Sequence, residues 1–187
     1  MNTAAIFGSR KLNPVGGQTD LKNAVDVIMF EHQSIRRLSV LLDSLDRFDE
    51  FLGFNRYLKE CHMVVEEKIL FPTLREGSFI DSTAFSARID RVVADHRLIE
   101  TLASNIQRWH ESGDIVMVRQ RMPLYFRLLM EHNATEDSTL FPRWGEISGL
   151  IEADTIRETK NVILSFGKQN YLAVTGMSQA DFQKTFG

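Results

Sequence analysis

The sequence predicts an all-α protein: an up-down-up-down antiparallel four-helix bundle with an extra C-terminal helix. Three observations carry this expectation. Four long stretches place apolar side chains at helical spacing, and nothing alternates with period two over a useful length. Short links, residues 72–82 and Ser112-Gly113-Asp114, separate the stretches, and links that short join antiparallel neighbours. The two halves also repeat each other. A phrase His-x-x-x-Glu-(Glu/Asp)-x-x-Leu-Phe-Pro occupies residues 62–72 and returns at 132–142, and an acidic residue followed by histidine, Glu31-His32 and Asp95-His96, stands upstream of each copy.

Residues 1–18 contain Gly8, Pro14, Gly16 and Gly17 and read as an arm with little structure of its own. Thr19 or Asp20 can cap a first helix running to about Asp46, whose inward stripe is Val25, Ile28, Met29, His32, Ile35, Leu38 and Leu42. The second helix spans about Asp49 to Phe71 and turns Phe51, Phe54, Leu58, Val65 and Ile69 inward beside His62 and Glu66. Pro72 is expected to end it by removing a backbone donor. The third, about Ser82 to His110, carries Phe85, Ile89, Val92, His96, Ile99, Ala103 and Ile106 at helical spacing. Asp114 caps the fourth, which runs to about Phe141 through Tyr125, Leu129, His132, Glu136 and Leu140, with Pro123 kinking it or marking its start. A fifth amphipathic stretch, near Ile151 to Phe166, stops at Gly167 and packs outside the bundle or across one end. Residues 168–187 are expected to be partly ordered at best. The organisation is thus an arm (1–18), a bundle (19–143), and a C-terminal helix with a tail (144–187).

At 187 residues and 43% hydrophobic composition the chain suits one compact domain with a real core. Twenty-two basic against twenty-five acidic side chains give a net charge of -3, no footprint for nucleic acid or an anionic membrane, and neither is expected as a partner. The single cysteine, Cys61, excludes an intramolecular disulfide and a cysteine-clustered metal site and fits a reducing compartment. The amino terminus lacks the roughly 7–15-residue apolar core of a secretory signal, and no stretch reaches the ~18 apolar residues of a membrane span. A soluble, unprocessed, cytoplasmic protein is the expectation. Nothing in the sequence specifies an oligomer.

Inward positions of an antiparallel bundle converge on one axis, and here each helix delivers one histidine to it: His32, His62, His96 and His132. Helices two and four add Glu66 and Glu136 one turn on. Burying six such groups without partners is costly, and a shared metal centre removes that cost. Four imidazoles and two carboxylates supply two ions with two nitrogens each, with the carboxylates free to bridge. Nitrogen and oxygen donors without thiolate suit iron, manganese or zinc, with iron favoured where oxygen chemistry is the task. A lone histidine on an apolar face is usually a hydrogen-bonded core side chain; four on four helices in repeated contexts argue otherwise. His110 falls outside the pattern. The Glu-x-x-His spacing of ferritin-like bundles, the His-Glu-x-x-His of zinc proteases, a glycine-rich phosphate loop and a Gly-x-Ser-x-Gly elbow are all missing. Glu31, Asp95, Glu131, Glu67 and Asp137 lie one residue from a candidate ligand, a rotation of roughly 100°, and are expected to face solvent or a neighbouring helix. For Cys61, Tyr57 and Tyr125 core packing is the expectation.

The arrangement His32, His62-x-x-x-Glu66, His96, His132-x-x-x-Glu136 resembles the hemerythrin-like, or HHE cation-binding, family over roughly residues 20–143. The resemblance implies an oxo- or hydroxo-bridged di-iron centre, one iron held by His32, His62 and the bridging glutamates and the other by His96, His132 and the same bridges, with manganese or zinc less favoured. Oxygen-carrying members have His-x-x-x-His on the third helix, whereas this chain has Glu100 at the second place. Glu100, four residues after His96, is expected to face the site as a further ligand or as a base behind one. Asp137 stands where those carriers have their aspartate, yet the repeat makes Glu136 the better bridge. A carboxylate-richer site favours reactive chemistry over carriage. The pattern also resembles bacterial iron–sulfur cluster repair proteins linked to nitric oxide stress, whose cysteine-bearing domain has no counterpart in this sequence. The expected function is binding and turnover of a small ligand, O2, NO or H2O2. The alternatives are an iron- or oxygen-responsive sensor, and iron–sulfur cluster repair or iron delivery.

Overall fold

The computed structural model describes residues 21–77, 82–146 and 149–187. The expected arm and the caps Thr19 and Asp20 lie outside the described residues. Helix α1 spans Ala24–Leu42 and opens on Asn23, whose side chain accepts the Asp26 N–H at 2.9 Å. After a 3-10 turn, Leu45–Arg47, helix α2 runs unbroken over 48–77, with π-helical segments at Leu58–His62 and Glu66–Leu70. Helix α3 is Ser82–Glu111, and α4 is Ile115–Thr139, capped by Asp114 through the Met117 N–H at 3.1 Å. A 3-10 segment, Phe141–Glu146, leads to α5 (Gly149–Phe166), α6 (Lys168–Thr175) and α7 (Gln179–Phe186). Among the described residues there is no strand, and the protein is an all-α bundle with C-terminal additions. No described helix is long and apolar enough to cross a membrane.

Two apolar clusters fill the bundle, and their membership gives the topology. Helix α1 enters one cluster with Ala24, Val25 and Ile28, passes His32, and leaves through the other with Ile35, Leu38 and Leu42. Helix α3 runs the same way, from Phe85, Ile89 and Val92 past His96 to Ile99 and Ile106. Helices α2 and α4 cross in the opposite sense: Phe51 and Phe54, then His62 and Glu66, then Leu70 and Phe71; and Met122 and Leu129, then His132 and Glu136, then Leu140 and Phe141. Up, down, up, down, each of α1 to α4 crosses a polar layer sandwiched between two dry ones.

Three expectations about where helices stop and start are corrected. Pro72 does not end α2, which continues to Gly77. A proline inside a helix crowds the carbonyl four residues back and lacks a donor, but here a π turn precedes it, the Phe71 N–H already reaching back five residues to the Glu66 carbonyl. The widened turn makes room for the ring. Pro123 likewise lies inside α4 and does not mark its start.

The third correction is residues 168–187, which form α6 and α7 and bury Tyr171, Leu172, Val174, Phe182 and Phe186 in the same cluster as Leu38 and Tyr57. Each helix is eight residues long, too short to show a persuasive period. Each follows a glycine with positive φ, Gly167 at +106° and Gly176 at +71°, where an L side chain would be strained. Helices α5 and α6 pack against α1 and α2, which gives α1 a second buried stripe, Val27, Phe30, Glu31 and Ser34, and leaves Met29 exposed against expectation.

Candidate metal centre

The polar layer contains His32, His62, Glu66, His96, His132 and Glu136, all 3% exposed or less. Their donor atoms form two overlapping groups. His32, His62 and Glu66 make one; Glu66, His96, His132 and Glu136 make the other, and within each group the atoms lie within 4.8 Å of one another. Glu66 belongs to both. Its Oε1 is 3.3 Å from His62 Nε2 and 3.5 Å from His32 Nε2, while its Oε2 is 3.3 Å from His96 Nε2. Glu136 Oε2 is 3.3 Å from His132 Nε2 and 3.5 Å from His32 Nε2.

These separations test the fit to a cation. Buried polar atoms are almost always hydrogen-bonded, yet His32 Nε2, His62 Nε2 and all four oxygens of Glu66 and Glu136 have no hydrogen-bond partner. Metal–ligand bonds of about 2.1 Å hold neighbouring donors roughly 3 Å apart, close to the spacing found. Unpartnered donors facing one another at that distance suit a metal better than each other.

Behind the donors stands a second ring of carboxylates, one for each imidazole. His62 Nδ1 meets Glu31 Oε2 at 2.8 Å, His96 Nδ1 meets Glu67 Oε1 at 2.7 Å, and His32 Nδ1 meets Asp137 Oδ1 at 2.7 Å. Asp95 stands 4.0 Å from His132 Nδ1, beyond hydrogen-bond range. The ring runs from helix to helix: α1 serves α2, α2 serves α3, α3 faces α4, and α4 serves α1. A carboxylate bonded to Nδ1 leaves Nε2 as the lone-pair nitrogen and fixes the ring plane, the arrangement in which histidine binds metals. The phenylalanine of each repeated phrase then lies against a histidine of another helix, Phe71 against His96 at 6.0 Å and Phe141 against His32 at 5.8 Å between ring centroids.

Residues 23–144 match the hemerythrin HHE cation binding domain. That span covers most of the chain and all six donors. The chain belongs to the hemerythrin HHE cation-binding family. No curated protein and no solved structure matches it.

Without a cation, the HHE donors share protons among themselves. Burial disfavours a charged His96, but the nearby Glu66 carboxylate and the hydrogen bond and charge of Glu67 outweigh it and raise its pKa to about 9. Burial and the neighbouring His96 lower His132 to about 3. Burial opposes ionisation of Glu66 too, yet His62, His32 and His96 hold it well below the usual carboxylate range, while burial and the Glu66 charge push Glu136 well above it. Protons thus occupy places that metal charge can take, so metal binding must release them.

Glu100 is not part of the HHE cluster. It lines a cleft of about 250 Å³ between α2 and α3 with Lys59, Glu60 and Met63. The direction of α3 explains this: one turn beyond His96 leads toward the Leu58 end of α2, away from the Glu66 and Glu136 layer. His110 stacks on Phe48 at 3.6 Å, far along α3 from the centre, and Cys61 is buried with its thiol pKa raised by burial. Tyr125 donates to Asn55 at 2.5 Å, whereas Tyr57 donates to Glu31 at 2.6 Å and so joins the second ring. The sequence turns Glu31, Glu67 and Asp137 toward solvent or a neighbouring helix, and it is the neighbouring helix that each meets, at a histidine. The signal for Glu31 was present in the second stripe of α1.

Proposed function

We propose that the chain is a non-haem di-iron protein that binds and turns over a small ligand, dioxygen, nitric oxide or hydrogen peroxide, at a carboxylate-bridged centre. One observation carries the reading: two groups of nitrogen and oxygen donors overlap at Glu66, and none contains a thiolate. His32 and His62 would hold one iron, His96 and His132 the other, with Glu66 and Glu136 between them. Bound there, iron supplies Lewis acidity and one-electron exchange toward a small ligand.

The chain's own residues prepare the place. Glu31, Glu67 and Asp137 accept hydrogen bonds from the Nδ1–H of three histidines and aim Nε2 inward. Phe71 and Phe141 close the layer on one side and keep water from it. Burial opposes ionisation of Asp137, but its hydrogen bond with His32 and its pairing with Arg36 lower its pKa, so that carboxylate stays ionised as an acceptor. The lone buried Cys61 supports a reducing, cytoplasmic setting.

The test is metal content per chain of freshly purified protein by elemental mass spectrometry, with a Glu66→Ala, Glu136→Ala variant alongside. The reading expects about two irons per chain, lost in the variant, and metal-dependent consumption of peroxide, nitric oxide or oxygen. Zinc unaffected by the substitutions, or no metal at all, would sink it.

A further inference from the structure

The family match ends at residue 144, and no donor lies beyond it, yet α6 reaches the centre. Tyr171 is fully buried, and its hydroxyl donates to Glu31 Oε1 at 2.9 Å. Glu31 is itself fully buried and uses its other oxygen to accept from Tyr57 at 2.6 Å and from His62 Nδ1 at 2.8 Å. The far end of α6 is tied to α1, where Ser34 donates to the Thr175 carbonyl at 2.7 Å and Arg37 to the same oxygen at 3.2 Å. One carboxylate therefore joins a C-terminal helix, a core tyrosine and a candidate metal ligand.

We propose that Tyr171 is a positioning residue for the metal centre, acting through Glu31 on His62, and that docking of α6 and metal binding are in consequence one linked equilibrium. The proposal rests on the metal-centre reading. A carboxylate removed from water needs a donor for each oxygen, and among the described residues Tyr171 is the donor to Oε1. Without that hydroxyl, Oε1 is orphaned and the carboxylate is free to turn toward another donor. Turning moves Oε2, the acceptor that sets the plane of His62. The aromatic ring of Tyr171 makes separate contacts, 6.3 Å from Tyr57 and 6.3 Å from Phe182, so a phenylalanine there keeps the packing and removes only the hydrogen bond. Linkage is reciprocal: what α6 contributes to metal affinity, metal returns to the docking of α6.

The experiment uses the full chain, with ferrous iron as the probe and a chelator as competitor. Tyr171→Phe is expected to weaken iron binding about tenfold, the lower end for partners behind a ligand, and to shift the absorption spectrum of the iron-loaded protein. Phe182→Leu trims the packing on α6 but leaves the bond to Glu31, and should weaken iron binding less and leave the absorption spectrum in place. In a Glu31→Gln background Tyr171→Phe should add nothing, because both changes cut one path. In the unmodified chain, iron should slow amide hydrogen exchange in residues 168–175. A parent that binds iron while Tyr171→Phe matches it, or behaves like Phe182→Leu, overturns the proposal. So do additive losses in the double variant, or exchange in α6 that ignores iron. A parent that binds no iron overturns the metal reading and this proposal with it.

Discussion

On the α1–α2 side of the centre, both histidines have Nδ1 hydrogen-bonded, at 2.7 and 2.8 Å, and the C-terminal helices pack over that side. On the α3–α4 side, His96 bonds to Glu67, whose side chain is 40% exposed, and His132 Nδ1 has no hydrogen-bond partner, with Asp95 4.0 Å away and 34% exposed. Leu98, Leu102, Leu124 and Leu128 line an open groove there of about 290 Å³. The two halves carry the same repeated phrase and present similar donors, so the difference lies in what stands behind them. Similar ligands with unequal backing predict two unequal metal positions, the α3–α4 one being the looser and the easier to exchange.

The largest effect should come from the shared carboxylate. Glu66→Ala removes a donor from both groups and is expected to abolish metal binding. Glu136→Ala takes a donor from the α3–α4 group and its 3.5 Å approach to His32 but leaves His32, His62 and Glu66 together, and should retain about half the metal of the parent. Metal per chain by elemental mass spectrometry decides, and equal loss in both variants would break the comparison.

Next come the supporting carboxylates. Glu31→Gln puts an amide among three buried donors and should cost about 1–3 kcal/mol of metal-free stability. Asp95→Asn alters a half-exposed, unbonded group and should cost less than about 0.5 kcal/mol. Urea denaturation of the two metal-free variants measures the gap; similar costs would mean that the two sides are backed alike.

Protonation sharpens the contrast within the looser half of the metal-free chain. His96, raised to about 9, contributes stability that is complete below the unfolded value of about 6.5 and is lost as pH rises from there through about 9. His132, lowered to about 3, contributes nothing unfavourable above about 6.5, and stability falls as pH drops from there toward about 3 because only the unfolded chain takes up that proton. Imidazole resonances followed by NMR should show His96 titrating near 9 and His132 silent from pH 8 to 5. A His132 that titrates near 6.5 would remove the asymmetry.

The smallest effect concerns Cys61, which lies on the sealed side near Tyr57 and Tyr171. Burial raises its thiol pKa and keeps the thiolate scarce. Native chain should resist alkylation at pH 8, and urea should release the thiol; rapid native labelling, followed by mass spectrometry, would show that side to be open.

Much of this was legible in the residues. The helical period, the Ser112-Gly113-Asp114 break and the stop at Gly167 announced four helices and a fifth, and one histidine per apolar stripe announced a common polar layer. The backing was harder to see. A step of one residue does turn Glu31, Glu67 and Asp137 away from the metal axis, but in a bundle that rotation aims a side chain at the next helix, where another histidine waits. Glu100 misled because a shared helical face says nothing of the level along the axis, which the direction of α3 decides. The π segments around His62 and Glu66 left no mark, since residues 62–72 and 132–142 share one spacing while only the first copy winds through them. Helices α6 and α7 were hidden by their brevity; their order comes from long-range packing that no local pattern reports.

The bond from Tyr171 to Glu31 spans 140 residues, and its consequence is one of timing. A chain made from its amino end has Glu31, His62 and all six donors in hand well before Tyr171 has been added, and contacts of such separation close late. The donors can gather early, but the sealed side must wait for the last helices. On the reading proposed above, metal captured before that moment would be held without Tyr171 behind Glu31, and so more weakly than in the finished chain.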